Sequence, residues 1–370
     1  MEVVVIRNNL KDGLGIIQGA VGDNLKLPVL KYALFEAEAD RVRFTATNLE
    51  IAMTSIVSGK VIEKGKIGIP VGTLLSLINN IQTERISLQS KGGQVNLKTD
   101  NYEALIQTIS PEEFPTIPKL KVKDKFFEIE GWVLRDALTQ VVVATQFSEL
   151  RPELNSVLFD FSIDSLRLAA TDSFRLAEKT IPNSQFKTNQ EESVRLLIPL
   201  RTCHELLRVI KEDPVRIYFE SNQVFFEAQS FEFISRLIEG NFPDYTQVLP
   251  KKFGSELVLN KEKFINAVKL AGVFGGQNNE VRLRVLDGGK AVELKSSNQD
   301  VGENCYLLPV KASRETGEVA FNGKYLLDVL KILKTEEVFL GVNEEERKAT
   351  LLKSPNESSY FYILMPILKA

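Results

Sequence analysis

The chain has 370 residues, of which 44% are hydrophobic, and it carries a formal net charge of −3 with a sequence pI of about 5.7. Such a chain can bury the cores of two or three domains, whereas its charge disfavours a protein that binds polyanions through bulk charge. The start has no basic segment followed by an apolar run, and no window holds the ~18 apolar residues that span a bilayer. We therefore expect a cytoplasmic protein that does not bind membranes.

The first predicted elements recur along the chain. A short strand followed by an amphipathic helix begins at Val3, at Phe127 and at Leu257. A second strand and helix follow in each case, and alternating strands come after them. The predicted helices are 7–20, 70–82, 131–146, 200–212, 260–273 and 322–334.

Two Pro-rich, charged segments without periodicity separate these repeats. They are "PEEFPTIPKLKVKDK" (111–125) and "NFPDYTQVLPKKFGS" (241–255), and both contain Phe-Pro followed by a further Pro. We interpret them as matching linkers. The sequence thus predicts an α+β protein of three repeated domains, 1–120, 126–249 and 251–370, each with two strand–helix–antiparallel-strand units.

In the middle repeat, "LAATDSFRLAEKT" interrupts a strand pattern with the polar residues Thr171, Asp172 and Ser173. Thr47 and Ser297 occupy the same place in the other repeats. A Thr/Ser residue followed by Asn or Asp between strands is typical of a hairpin turn, because these side chains bond the local backbone. The segment is predicted to be a turn, and a second role for it stays open.

Charge is unevenly distributed, because the six predicted helices hold twelve Lys or Arg against six Asp or Glu. The fourth helix shows this best, since it has a basic face beside an apolar one. The basic face comprises Arg201, His204, Arg208 and Lys211, and the apolar stripe comprises Leu200, Cys203, Leu207 and Ile210. The sixth helix adds Lys324, Lys331 and Lys334, interrupted by Asp328. An ordinary solvated surface would explain any one helix, but not the repetition as well.

The sequence has few residues with the type and spacing of a catalytic, metal-binding or phosphate-binding site. The single histidine, His204, lies among cations, and neither metal-ligand spacing nor a phosphate-binding loop occurs. Cys203 and Cys305 lie in apolar segments and are expected to be reduced core thiols. We therefore expect no cofactor, no metal and no catalysis. Two alternatives stay open: a non-catalytic β-rich repeat protein that binds another ligand, and an enzyme that uses Asp172 and Arg175.

Three stretches carry a family resemblance: "LNSVLFDFSIDSLRLAATDSFRLA", "FISRLIEGNFPDYTQVLP" and "YFYILMPILKA". They resemble the bacterial DNA polymerase III β subunit family, the replicative sliding clamps, and the similarity covers essentially the whole chain. The resemblance implies a head-to-tail homodimeric ring around double-stranded DNA, with helices lining the hole and sheets outside. It also implies that the ring tethers the replicative polymerase and other proteins with clamp-binding peptides. Because the chain has no nucleotide motif, an ATP-driven clamp loader is expected as a further partner.

The resemblance also implies three sets of site residues. A pocket for peptides with leucine and aromatic anchors would comprise Leu154, Thr171, Ser173, Phe174, Arg175, Leu176, Pro243, Gln247, Val248, Ile363, Met365, Pro366 and Ile367. Residues facing DNA would be Lys11, Asn24, Lys26, Arg135, Arg151, Arg201, His204, Arg208, Lys211, Lys269, Lys324 and Lys331. The dimer interface would include Ala104, Ile106, Val273 and Phe274.

Overall fold

The structure is a computed structural model that describes residues 1–39, 41–121, 123–146, 148, 150–344 and 348–368. Its first third contains two helices and nine strands. They are β1 Glu2–Ile6, α1 Arg7–Ile17, β2 Tyr32–Glu38, β3 Arg41–Thr47, β4 Ile51–Ser58, β5 Lys60–Glu63, β6 Gly65–Pro70, α2 Val71–Asn80, β7 Arg85–Lys91, β8 Gln94–Lys98 and β9 Glu103–Gln107.

The middle third repeats this plan after the first linker. Its elements are β10 Phe127–Ile129, α3 Gly131–Val142, β11 Ser156–Phe161, β12 Ser165–Thr171, β13 Arg175–Pro182, β14 Phe186–Thr188, β15 Val194–Pro199, α4 Leu200–Val209, β16 Val215–Phe219, β17 Gln223–Glu227 and β18 Phe231–Arg236. The predicted strand–helix–strand order is therefore confirmed in this part of the chain.

The last third follows the same order. Its elements are β19 Ser255–Asn260, α5 Lys261–Gly272, β20 Glu280–Leu286, β21 Ala291–Asn298, β22 Gly302–Pro309, β23 Lys311–Ala312, β24 Val319–Asn322, α6 Gly323–Ile332, β25 Glu337–Val342, β26 Thr350–Lys353 and β27 Tyr360–Leu364. Short 3₁₀ helices lie at Gln18–Ala20, Pro28–Lys31, Pro111–Glu113, Pro152–Leu154, Asn183–Gln185, Thr246–Val248 and Asp287–Gly289.

The helices end earlier than the periodicity predicts. α1 ends at Ile17 and continues as a 3₁₀ turn, and α3 ends at Val142, not at residue 146. The apolar spacing in the sequence continues past the last helical hydrogen bond. It therefore predicts the buried face of a helix more reliably than the residue at which the helix ends. α6 starts with a side-chain cap, because the Asn322 carboxamide oxygen accepts the N–H groups of Lys324 and Tyr325.

Antiparallel pairing builds four sheets. Their strand orders are β5-β1-β7-β8-β9, β14-β10-β16-β17-β18-β4-β3-β2-β6, β15-β11-β12-β13-β27-β26-β25-β19-β23 and β22-β21-β20-β24. Each nine-stranded sheet joins five strands from one third of the chain to four from another. The joining pairs are β18 with β4 and β13 with β27, both antiparallel.

The described chain forms two compact units. One comprises Met1–Val133, Phe186–Gln190 and His204–Leu237, and the other comprises Leu134–Gln185, Glu191–Cys203 and Ile238–Ala370. These units follow the continuous sheets and not the chain repeats. The boundaries 1–120, 126–249 and 251–370 therefore stay a prediction.

Within the first unit, α1 packs on β3 and β4. A Cβ at Gly13 would overlap the Val57 side chain, so glycine permits the helix to approach the strand this closely. Phe44, which pairs with Phe35 at a ring-centroid distance of 4.2 Å, completes this packed layer.

The two cysteines have different surroundings. Cys203 is fully buried, as expected, and burial raises the pKa of its thiol. Cys305 is exposed on β22, so its prediction as a core thiol is wrong. β22 is an edge strand whose residues are largely exposed, and the apolar neighbours of Cys305 in sequence do not cover it.

Candidate functional site

The segment Thr171–Ser173 forms the turn of the β12–β13 hairpin. The Thr171 hydroxyl donates to the Arg175 carbonyl at 2.7 Å, and the Asp172 carboxylate accepts the N–H groups of Phe174 and Arg175 at 2.9 and 3.0 Å. Ser173 has a φ of 78°. These bonds confirm the predicted turn chemistry.

The first third of the chain contains the same turn. The Thr47 hydroxyl donates to the Ile51 carbonyl at 2.8 Å, and Asn48 accepts the N–H groups of Glu50 and Ile51. Leu49 has a φ of 75°, close to that of Ser173. The predicted equivalence of these two turns is therefore confirmed.

Arg175 is the best-connected charged residue of the hairpin. Its guanidinium donates to the carboxylates of Asp172 at 2.8 Å and Asp328 at 2.7 Å, and to the Thr145 carbonyl at 3.2 Å. It also lies 4.0 Å from the centre of the Tyr325 ring. Since Tyr325 and Asp328 belong to α6, this network fastens the hairpin to that helix.

The charge of Arg175 is well compensated. Burial alone would lower its pKa, but the electrostatic influence of Tyr362 and the bonds to Asp328 and Asp172 outweigh burial and raise the pKa. The Asp328 carboxylate, which interrupts the lysines of α6 in sequence, is correspondingly held by Arg175. An enzyme site at Asp172 and Arg175 is not supported, because every contact of this pair has a structural role.

An apolar pocket of about 470 Å³ lies beside the C-terminal strand of the second unit. Gln247, Val248 and Met365, three of the residues predicted to bind peptides, line it. Its wall continues into a cluster around Leu176 and Ile363, which pair across β13 and β27. The structure thus brings five of the predicted peptide-binding residues to one place.

Several lining residues were missed by sequence reasoning. They are Leu249, Pro250, Lys251, Lys252, Lys348 and Ala349. The second linker supplies the first four, so its Pro-rich and basic composition was an available signal. Lys348 and Ala349 belong to a different part of the chain, and nothing in their local sequence indicates the pocket.

Arg175 is not brought to this pocket. In β27, the Tyr362 hydroxyl donates to the Tyr325 carbonyl of α6, so Tyr362 faces the helix and its neighbour Ile363 faces the opposite side. Leu176 pairs with Ile363, whereas Arg175 contacts α6. Strand alternation turns Arg175 to the face of the sheet opposite this pocket, and its role in peptide binding stays a prediction.

The remaining predicted peptide-binding residues surround the hairpin and the chain end. Phe174 is 62% exposed and accepts the Met365 N–H through its carbonyl at 2.8 Å. Ser173 is exposed and Pro243 half-buried, whereas Leu154, Thr171 and Pro366 are buried. The Ile367 N–H donates to the Ala320 carbonyl at 2.8 Å. Their roles in binding stay predictions.

All the predicted DNA-facing residues are exposed. Those on helices are Lys11, Arg135, Arg201, His204, Arg208, Lys269, Lys324 and Lys331, and those outside helices are Asn24, Lys26, Arg151 and Lys211. Asn24 accepts the Lys26 N–H at 2.9 Å within a turn. Exposure is what DNA contact requires, but it does not test that contact.

Arg208 and Arg151 are not simple solvated cations. Arg208 pairs with Glu205 at 2.7 Å and donates to the carbonyls of Gly15 and Ile16 at the end of α1, whose last carbonyls lack helical partners. Arg151 pairs with Glu153 at 3.2 Å and donates to the Ser173 hydroxyl at 3.2 Å. The prediction of a solvated basic face on α4 is therefore corrected at Arg208. Its apolar stripe contains Leu206, which is buried, in place of the half-buried Leu207.

The predicted interface residues differ in exposure. Val273 is 65% exposed, and Phe274 and Ala104 are half-buried. Ile106 is only 4% exposed, because its side chain belongs to the core of the first unit. The exposed apolar residue of β9 is its neighbour Leu105 at 67%, which sequence reasoning missed.

Comparison with known proteins identifies the family. Models of the N-terminal, central and C-terminal domains of the DNA polymerase III beta subunit match residues 1–118, 128–244 and 246–368. The chain belongs to the DNA polymerase III beta subunit family. The three-domain α+β fold that the repeats predicted is confirmed as a clamp fold, and so is the resemblance to this family.

Individual members of the DNA polymerase III beta subunit family match over the whole chain. The beta sliding clamp of Chlamydia pneumoniae is 26% identical and covers 99% of each chain. The crystal structure of the Bacillus subtilis DNA polymerase sliding clamp has a TM-score of 0.92 at 22% identity, and the Pseudomonas aeruginosa subunit beta has 0.92 at 24%, each with full coverage of both chains. These structures agree with this chain in fold.

Family membership identifies the chain as a non-catalytic DNA clamp, a processivity factor with DNA and a DNA polymerase as partners. Among the described residues, no group of three or more His, Cys, Asp or Glu could hold a metal ion. No helix of the described part has the length and apolar character to cross a bilayer.

Proposed function

We propose that two copies of this chain close head-to-tail into a ring that encircles double-stranded DNA and holds the replicative polymerase to it. The observation that carries this proposal is the strand count. Each third of the chain supplies a five-stranded and a four-stranded half-sheet, and within the chain two such pairs join into nine-stranded sheets. The five-stranded sheet ending in β9 and the four-stranded sheet ending in β22 are left over.

The five-stranded sheet ending in β9 and the four-stranded sheet ending in β22 correspond to the half-sheets that join within the chain. In both nine-stranded sheets, the joining strand is the last of a three-strand meander, and it pairs antiparallel with its partner. β9 and β22 are also the last strands of their meanders. Each presents unpaired N–H and C=O groups along one edge, which favours pairing with another strand. Pairing β9 of one copy with β22 of another would build a third nine-stranded sheet, and two copies would close the assembly.

Apolar surface at both edges supports the same interface. Leu105 is exposed on β9, and Leu307 on β22 is 59% exposed. Val301 and Val273 are 63% and 65% exposed near β22, and the Phe274 ring lies 3.7 Å from a Cβ built at Gly302. Burial of these side chains against a second copy would remove apolar area from water.

The helices suit a ring that slides on DNA. Their exposed cations would attract phosphates without reading bases, and some of the positive charge of α4 is already compensated by Glu205. Retention would then come from closure around the duplex, and not from tight contacts. We propose a cytoplasmic location and an ATP-driven clamp loader that opens the ring.

The pocket of the second unit is the proposed attachment site for the polymerase, the loader and other proteins with clamp-binding peptides. Each leucine or aromatic anchor buried there would contribute roughly 1.5–3 kcal/mol. After the cost of ordering a short peptide, we expect affinity of about 1 μM, near −8 kcal/mol.

Retention on DNA tests the proposed function. The protein is loaded onto nicked circular DNA by a clamp loader, and half of the sample is linearised before gel filtration. We expect the protein to stay with the circles and to leave the linear molecules, because a ring can slide off an open end but not off a closed circle. Equal retention on both would contradict encirclement. Blocking the linear ends with bound protein serves as the control, since it should restore retention.

A further inference from the structure

A second apolar pocket lies in the first unit, beneath the first linker. It has a volume of about 540 Å³, similar to that of the pocket in the second unit. The aromatic residues Tyr218, Phe225 and Phe233 form part of its wall, and Phe114 and Ile117 of the linker cover it.

The two pockets occupy corresponding places in the repeat. The first borders the joint between β18 and β4, where Ile234 lines it, and the second borders the joint between β13 and β27. Each is lined by a linker that contains Phe-Pro and continues to a Pro-Lys pair, Pro118-Lys119 in one and Pro250-Lys251 in the other. Both Pro-Lys pairs line their pocket.

Among the described residues that line the first pocket, every Lys and Arg except Lys119 has an ion-pair partner. Arg43 pairs with Glu232 at 2.6 Å, and Lys123 pairs with Glu227 at 2.6 Å. Lys66 pairs with Glu36. Lys119 is exposed and makes no hydrogen bond or ion pair within the described part of the chain, and the same holds for Lys251.

We propose that the pocket of the first unit is a second peptide-binding site, which takes a short segment with a leucine or aromatic anchor and a carboxylate that pairs with Lys119. The ligand class rests on the proposed function of the second unit's pocket. Three features support a leucine or aromatic anchor in the ligand: the pocket borders an equivalent joint between two half-sheets, an equivalent linker lines it, and its wall is aromatic. The uncompensated Lys119 supports the acidic part, because among the described lining residues it is the cation without an ion pair and could meet a carboxylate beside a buried anchor.

The test uses the full-length protein and a fluorescein-labelled hexapeptide with two leucines, one phenylalanine and one aspartate. Val248→Asp places a charge in the second unit's pocket and should remove that site. We expect binding to remain in this variant, at concentrations up to about 1 mM. Adding Ile234→Asp should weaken the remaining binding tenfold or more, whereas adding Ile62→Asp, at an isoleucine 55% exposed outside both pockets, should not.

Two charge-reversal variants at linker lysines test the acidic contact without changing an apolar residue of the pocket. In the Val248→Asp background, Lys119→Glu should weaken the peptide at least threefold, and Lys121→Glu, at an exposed lysine of the same linker, should not. Replacing the aspartate of the peptide by asparagine should abolish the difference between these two variants.

Each other outcome identifies what has failed. If Val248→Asp alone abolishes binding up to about 1 mM, the second site does not exist, and the proposed attachment site stands. Residual binding that Ile234→Asp leaves unchanged also overturns the proposal. If the unmodified protein does not bind the peptide, both the proposed attachment site and this inference are wrong.

Discussion

Arg175 shows how much a single side chain contributes to the hairpin. Its guanidinium satisfies Asp172, whose side chain is only 3% exposed, and Asp328 on α6. Removal of one member of a buried ion pair is costly because the remaining charge has neither water nor a partner. The residue therefore has a structural role on one face of the sheet that carries the candidate pocket on the other.

We predict that Arg175→Met lowers the free energy of unfolding by about 3 kcal/mol or more. The matched control is Arg167→Met on β12. Arg167 is 41% exposed, and its partner Asp160 also contacts Arg195 at 3.3 Å, so this change should cost less than about 1 kcal/mol. Urea denaturation of both variants gives the comparison. Equal losses would show that the Arg175 network adds nothing beyond a surface pair.

The turn between β12 and β13 could be predicted from the residues that form it. Thr171 and Asp172 bond within four residues of themselves, so the turn follows from the local sequence. The partner of Arg175 on α6 lies 153 residues away, and no local pattern indicates which face of the strand meets that helix. The family resemblance implied Arg175 as a peptide-binding residue, and only the register of β13 against β27 shows that its side chain lies on the face that meets α6.

At the scale of elements, the edge strands β9 and β22 carry the proposed assembly. Sequence repeats predicted the strands, whereas the interface residues Ala104 and Ile106 came from the family resemblance, and of the two neighbours Ile106 is in the core and Leu105 is exposed. The contrast arises because a five-residue strand at an edge has too few side chains for its buried face to be assigned from hydrophobicity alone.

We predict that Leu105→Asp dissociates the dimer, because a carboxylate would be buried without a partner at the proposed seam. The control is Ile62→Asp on β5, the opposite edge of the same sheet, where the residue is also exposed. Sedimentation at micromolar concentration should show monomers for the first variant and dimers for the second. Dimers in both cases would place the interface elsewhere.

For the whole molecule, the distribution of charge says more about DNA binding than the net charge does. The net charge of −3 does not show that the helices carry an excess of Lys and Arg. Helical cations were visible from sequence once counted by element. The sequence could not show which of these cations already have a hydrogen-bond partner within the protein, as Arg208 has in the Ile16 carbonyl of α1. Long-range partners of this kind depend on tertiary packing and leave no local signal.

We predict that reversing Lys211, Lys324 and Lys331 to Glu impairs loading onto DNA and flattens its salt dependence, because fewer phosphate contacts release fewer counterions. Reversing three exposed lysines that are not among the predicted DNA-facing residues, Lys60, Lys98 and Lys290, should have little effect. Loading assays across a salt series, with thermal unfolding to confirm folding, give the measurement. Equal losses in both triple variants would mean that net charge, and not its location, controls loading.

The matching of half-sheets also has a mechanical consequence. The proposed ring would have six joints of one kind, and the four within the subunits are reinforced by the peptide chain that runs through the linkers. The two joints between the subunits would be held by non-covalent contacts alone, each over a strand of five residues. Under a pulling or twisting force, a joint between the subunits would part while the joints within the subunits stay closed. A ring built this way can be opened and resealed repeatedly without unfolding any domain.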